Sequence, residues 1–231
     1  SIDATRVSGT ECLNKMTIIN QKGQKRVRQM AVITKLYDNG NTEKKLIRFL
    51  APADVKGVGF LTFDYKIKDD AKWIYMPALR KTRRIISSEN AKSFMGSEFS
   101  YADMSLPNIE EYTYKLLGEE MVNGIACFKI EIIPTSDDVM DANGFSKKIS
   151  FFGKNDFVLR KAIYFDLFGD KEKVMEVESV VEVDKIHHKY RMKKIVMTNL
   201  QNGRKSISEI EKIQFNPSIP DEYFTTRYLE R

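Results

Sequence analysis

The sequence predicts a mainly β protein built as an antiparallel meander, and three observations carry that reading. Asn-Gly, whose residues tolerate the positive backbone angles of two-residue hairpin turns, occurs four times: Asn39-Gly40, Asn123-Gly124, Asn143-Gly144 and Asn202-Gly203. Runs rich in β-branched and aromatic residues adjoin these turns, such as "RVRQMAVITKLY" before the first and "HKYRMKKIVMTNL" before the last. Strands do not alternate with helical patterns, and no Pro/Gly/Ser-rich linker or internal repeat divides the chain, so residues 1–231 read as a single domain.

In chain order, only Ser1 to Arg6 precede the first strand-like run. A hairpin is expected at Gln21-Lys22-Gly23, and "APADVKG" at 51–57 offers a single helical turn. "GVGFLTF" and "WIYM" are apolar on successive residues, so both faces of these strands must be shielded or one must face an apolar cavity. "SEFSYADM" at 97–104 offers a second helical turn opened by Ser97 or Ser100. The acidic stretch "DDVMDANG" at 137–144 places Asp141, Asn143 and Gly144 as in a calcium loop but has Val139 and Ser150 at its first and twelfth positions, so it is expected to be a solvated hairpin loop. A further turn is expected at Gly153-Lys154-Asn155-Asp156. The count is ten or eleven strands, near the size at which an open sheet curls and leaves a concave apolar face to be covered.

Composition supports a core without naming a function: 42% of residues are hydrophobic, and 38 Lys plus Arg against 32 Asp plus Glu leave a net charge of +6, evenly mixed along the chain. No run of about 18 apolar residues exists to span a bilayer as a helix. The start at Ser1 fits a removed signal sequence or a trimmed chain. Cys12 and Cys127 read as separate thiols on different strands. His187 and His188, read as adjacent strand residues, point to opposite faces and cannot share one metal or substrate. There is no Gly-x-Ser-x-Gly elbow, phosphate-binding glycine loop or Cys-x-x-Cys pair, so no cofactor and no enzymatic activity are expected.

The stretch "KWIYMPALRKTRRIISSENAKSFMGSEFSYADM", residues 72–104, is the most informative. Its basic run, with Arg80, Lys81, Arg83 and Arg84, suits either a solvated edge strand or a surface for an acidic partner or anionic lipid. Phe94, Met95, Phe99, Tyr101 and Met104 follow among serines, too polar for a core strand and too apolar for a free loop. They suit a loop folded over a concave sheet, where methionine adapts to guests of several shapes, or equally an ordinary core beneath a long loop.

"WIYMPALRKTRRI", "SFMGSEFSYADM", "YTYKLLGEE", the closing "NPSIPDEYFTTRYLER" and "IRFLAPADVKGVGFLTFDYK" together resemble the outer-membrane lipoprotein-sorting proteins of the LolA-like superfamily, often encoded beside RND-type export transporters. The chain departs from that pattern at Glu98, where the family has Asp, and at Ala102, where it has an acidic residue. The resemblance implies a strongly curved antiparallel half-barrel whose concave apolar face is covered by short helices and a loop, and a periplasmic location. It also implies carriage of lipoprotein acyl chains or other lipids, with an RND-type inner-membrane transporter as partner, peripheral contact with membranes, and no nucleic acid. A monomer is expected.

On this basis Trp73, Tyr75, Met76, Leu79, Phe94, Met95, Phe99 and Tyr101 are expected to form the apolar lining and lid. Glu98 and Asp103 are expected to reach back to Arg83 or Arg84 of the basic face, with Arg80, as a latch. A polyanion or protein partner bound through the basic strand, or a lipid hydrolase, are the alternatives.

Overall fold

A computed structural model describes residues 2–66 and 68–231, leaving out Ser1 and Ile67. The described residues form thirteen strands, more than the ten or eleven expected. These are β1 Gly9–Ile19, β2 Lys25–Tyr37, β3 Thr42–Ala51, β4 Gly59–Tyr65, β5 Ala71–Met76, β6 Lys81–Ile85 and β7 Tyr112–Val122, then β8 Ile125–Pro134, β9 Lys147–Gly153, β10 Leu159–Phe165, β11 Lys171–Asp184, β12 Lys189–Asn199 and β13 Lys205–Phe215. They make one sheet in the order β6-β5-β4-β3-β2-β1-β13-β12-β11-β10-β9-β8-β7, which does not close into a barrel. Only short helices accompany it: α1 Ile2–Thr5, α2 Asp137–Asn143 and α3 Thr226–Leu229, with several single 3-10 turns.

Turn chemistry accounts for most of the meander. Asn123 (φ 49°) and Gly124 (φ 80°) both adopt the positive angles of a two-residue hairpin joining β7 to β8. Asn39 and Gly40 turn β2 into β3, and Asn202-Gly203 turns β12 into β13. Asn143-Gly144 behaves differently from expectation. Ser136 accepts a hydrogen bond from the Val139 amide to open α2, and Gly144 in the left-handed region closes it, so the acidic stretch is a capped helix instead of a hairpin loop. One uncounted hairpin, β10 to β11, is built by Asp166, whose side chain accepts from the Phe168 and Asp170 amides.

The chain divides into two compact units, each assembled from three segments: residues 1–5, 18–25 and 87–207 form unit 1, and residues 6–17, 26–86 and 208–231 form unit 2. In unit 2, β4 is buried on successive residues Phe60, Leu61 and Thr62, as its apolar run requires. One side of this sheet is sealed by the C-terminal segment: Ile219, Phe224 and Leu229 pack on Leu46 and Leu61, with Trp73, Tyr75 and Phe63 around them. The fit is close at Gly59, where a Cβ atom would stand 2.5 Å from Leu229 Cδ1. Arg48 pins the segment by donating to the Tyr228 carbonyl at 2.8 Å, and Lys35 and Tyr37 both bond Asp221, at 2.7 and 2.6 Å.

Candidate functional site

In unit 1, the segment 92–104 folds into a small body of its own. The Phe94 amide donates to the Phe99 carbonyl at 2.7 Å, and the Ser97 hydroxyl reaches the Phe94 carbonyl at 2.7 Å. These bonds close a tight turn in which Met95 (φ 53°) and Gly96 (φ 74°) take left-handed angles. Phe94, Phe99 and Tyr101 are buried, with Phe94 edge-on to Tyr101 at 5.7 Å, while Met95 is half-buried. A single 3-10 turn at Ala102–Met104 follows, and the Ser100 amide and hydroxyl both donate to Asp103.

The two carboxylates of this segment do not form the expected latch. Glu98, only 7% exposed, pairs with Arg204 Nε at 2.9 Å, and Arg204 also donates to the Gly96 carbonyl at 2.8 Å. Asp103 holds Ser100 and accepts from the Tyr164 hydroxyl of β10 at 3.3 Å. Arg83 and Arg84 are thus replaced as partners by residues of β10 and of the β12–β13 turn, because those groups lie beneath the segment and can satisfy a buried carboxylate. A polar recess of about 190 Å³ borders the clamp, between Ser93, Ser97, Arg204 and Lys173.

Register then defines an apolar face on unit 1 that sequence reasoning missed. Leu116 of β7 lies opposite Ile130 of β8, which lies opposite Ser150 of β9; Phe128 faces Phe152, and Met121 faces Ala126. Cross-strand partners share a side of the sheet, so these residues lie on one face, in which Glu119, opposite Phe128 and paired with Lys154 at 2.6 Å, stands between Leu116 and Met121. Its outer side chains are not covered: Leu116 and Met121 are each 62% exposed, and Phe157, stacked on Phe128, is 52% exposed. The next row, Tyr114, Ile132, Lys148 and Tyr164, runs to the residue that Asp103 grips. Burial lowers the Lys148 pKa, with Asp103 opposing that shift, and burial together with Asp103 raises that of Tyr164. The available signal was the alternation "FKIEI" at 128–132, which puts Phe128, Ile130 and Ile132 on one side and Lys129 and Glu131 on the other.

In unit 2, Trp73 and Tyr75 pack on the C-terminal cluster, Trp73 edge-on to Phe63 at 5.1 Å. Met76 is half-buried at the end of β5, and Leu79 is 59% exposed in the 3-10 turn Pro77–Leu79. Arg80, Lys81, Arg83 and Arg84 are exposed on the turn and on the edge strand β6. The side of β3–β5 away from the C-terminal segment carries a largely buried polar row: Glu43, Lys45, Thr62, Asp64 and Lys72, with Lys45 3.7 Å from Glu43 and Lys72 3.8 Å from Asp70. Burial first, then the charges of Asp70 and Glu43, push the Asp64 carboxyl up to about 7 against the opposing pull of Lys45 and Lys72.

The histidines lie in the exposed β11–β12 turn instead of on a strand, His187 bonded to Asp184 at 2.8 Å and His188 to Glu182 at 2.9 Å. Asp184 ends β11 as an Asx turn by accepting from the Ile186 and His187 amides, which is why the strand stops before them. Cys12 on β1 and Cys127 on β8 are not joined in a disulfide.

Comparison with known proteins places this geometry among relatives. A family model described as "Uncharacterized protein" matches residues 41–231. No curated protein matches the chain. Among solved structures, the chain is similar to a domain from Vibrio parahaemolyticus named for outer membrane lipoprotein sorting, with TM-score 0.88 and 28% identity over 97% of this chain and 92% of that one. It is similar to a DUF1329 family protein from Desulfovibrio piger, with TM-score 0.89 and 26% identity over 99% and 94%. A LolA superfamily protein from Nitrosomonas europaea shares the fold, with TM-score 0.70 and 18% identity over 98% and 94%.

Proposed function

The chain belongs to the family matched over residues 41–231, its structural neighbours have the LolA-like lipoprotein-sorting fold, and from that membership we propose that residues 1–231 act as one periplasmic, non-enzymatic domain that binds and carries lipid or lipoprotein acyl chains. The observation that carries this reading is the apolar face of β7–β9, where Leu116 and Met121 remain largely exposed beside Phe128, Ile130 and Phe152. Exposed apolar side chains gathered on one face and edged by a charged pair, here Glu119 with Lys154, mark a surface that a partner covers. An acyl chain fits the chemistry of this patch: it is apolar along its length and demands no hydrogen bonds.

Covering about fifteen methylenes at roughly 0.8 kcal/mol each, about 12 kcal/mol, less about 4 kcal/mol for lost freedom and ordering of the chain, leaves the roughly 8 kcal/mol of micromolar and therefore reversible binding. Reversibility suits a carrier. The segment 92–104 serves as the lid, with Phe94, Phe99 and Tyr101 as its own core and Met95 at its tight turn. The carrier works as a monomer and exchanges cargo with an RND-type inner-membrane transporter, as the family resemblance implies.

A fluorescent long-chain fatty acid titrated into the delipidated protein should bind saturably in the micromolar range and be displaced by unlabelled lipid. Native mass spectrometry of protein taken from its own periplasm should show a bound mass that organic solvent extracts. A flat titration together with a bare native mass would overturn the reading.

A further inference from the structure

One end of unit 2 carries a second feature. In the antiparallel order β6-β5-β4-β3-β2, the start of β2, the β3–β4 connection and the β5–β6 turn all fall at the same end of the sheet, as the pairs Gln29 with Ala51, Arg48 with Gly59, Gly59 with Tyr75 and Met76 with Lys81 show. The connection and the turn touch: a Cβ on Gly57 would stand 3.2 Å from Pro77.

Three apolar side chains protrude at this end, Leu79 at 59%, Val27 at 47% and Leu50 at 39% exposure. Leu79 owes its prominence to the turn, in which Pro77 opens a single 3-10 turn and Arg80 (φ 48°) reverses the chain directly after it. Four exposed cations surround them, Arg26, Lys56, Arg80 and Lys81, and none makes an ion pair among the described residues. Nearby carboxylates are engaged: Asp54 faces Arg28, and Glu230 accepts from Thr82 at 2.7 Å.

We propose that this end of unit 2 docks the protein on an anionic lipid surface, Leu79, Val27 and Leu50 entering the headgroup region while Arg26, Lys56, Arg80 and Lys81 contact lipid phosphates. Protruding apolar tips within a collar of unpaired cations match a layer whose outer charge is negative and whose interior is apolar. An acidic protein or a nucleic acid satisfies the cations but leaves no role for three exposed aliphatic tips. The proposal rests on the carrier reading, because a carrier must meet a membrane to exchange its cargo, yet it is measured separately: unloaded protein on vesicles here, dye without vesicles there.

The experiment is co-sedimentation of the unloaded chain with vesicles of phosphatidylcholine alone or enriched in phosphatidylglycerol. Binding should require the anionic lipid and fall with added salt. The pair Arg80→Glu and Lys81→Glu should weaken it roughly tenfold or more, each cation near the surface being worth about fivefold, and Leu79→Ser should weaken it less. Lys66→Glu with Lys68→Glu changes the net charge equally at the other end of the same strands and should leave binding within about twofold of the parent, since steering by distant charge is screened. Circular dichroism checks folding, and Arg26→Glu with Lys56→Glu replaces the first pair if that pair unfolds. Equal binding to neutral vesicles, equal loss from the Lys66 and Lys68 pair, or unchanged vesicle binding by the folded Arg80 and Lys81 pair would each overturn the proposal.

Discussion

The two units solve the same problem in opposite ways. In unit 2, one side of the β2–β5 meander is sealed by the chain's own C-terminal segment, whose Ile219, Phe224 and Leu229 fill the space over Leu46 and Leu61. In unit 1, the β7–β9 meander leaves Leu116 and Met121 mostly exposed on a face built from the same residue types. The difference shows that apolar strand residues specify a face to be covered but not what covers it. Where the cover is part of the chain the face is a core; on β7–β9 the outer side chains stay exposed, which is why that face is the one proposed to receive a guest.

The largest effects are expected where the cover is intrinsic. Phe224→Ala or Leu229→Ala removes a side chain 2% exposed or less, which costs about 2–5 kcal/mol in cores of this kind. Urea unfolding should show the loss as a lower midpoint. An effect under about 1 kcal/mol from both variants would mean the segment is an appendage, and the contrast between the units would fail.

A smaller effect, with a distinctive pH signature, is expected on the other side of unit 2. Asp64 is 2% exposed and its carboxyl is pushed up to about 7, so the folded state holds a proton that the unfolded chain, at about 4, releases. A raised acid contributes most to stability below the unfolded value, and that contribution declines as pH rises from about 4 to about 7. Charge balance agrees, because a neutral Asp64 leaves two lysines, Lys45 and Lys72, matched by Glu43 and Asp70. Asp64→Asn should therefore flatten stability across that window and make the protein about 1–3 kcal/mol more stable than the parent at pH 8. A variant less stable than the parent at pH 8 would show that the ionised Asp64 is a net contributor.

The segment 92–104 of unit 1, proposed as the lid, offers the next test. Arg204→Ala leaves Glu98 buried without its cation, and because Arg204 is itself about a third exposed the cost should be near 1–2 kcal/mol. It should be felt locally, as faster amide exchange in residues 92–104 than in β7–β10. Glu98→Gln should be milder, since a neutral amide tolerates burial better than an unpaired carboxylate. Uniform acceleration of exchange across unit 1 would mean the segment has no independent opening.

How much of this was legible in the sequence follows from which interactions are local. Asn123-Gly124 shows its hairpin outright, since two adjacent residues determine the turn, and the successive apolar residues of "GVGFLTF" report burial on both sides of β4. Asn143-Gly144 misleads, because the same tolerance of positive φ ends a helix as readily as it turns a hairpin. The partner of Glu98 was out of reach: Arg204 is brought beside it by strand pairing far away in the chain, while Arg83 and Arg84 are merely near in sequence. The β7–β9 face was half visible, for "FKIEI" gives its period but not which side remains open.

The smallest stability effect, paired with the largest functional one, belongs to that open face. Leu116→Ser and Met121→Ser replace side chains that are already 62% exposed, so neither leaves a cavity, and surface changes of this type usually alter stability by less than about 0.5 kcal/mol. At the proposed site their effect on an acyl chain should differ, because each removes apolar area that the guest would cover. At roughly 25 cal/mol per Å², losing some 60–80 Å² of contact between them, about 1.5–2 kcal/mol, weakens binding by about ten- to thirtyfold. Fatty-acid titration of the double variant, beside Trp73→Phe in the self-covered unit 2 as a control, separates the two faces. The double variant should lose dye affinity and keep its unfolding midpoint, and Trp73→Phe should keep its dye affinity. If Trp73→Phe lowers dye affinity while the Leu116 and Met121 double variant does not, the guest lies elsewhere, and the exposed patch on β7–β9 is surface without a ligand.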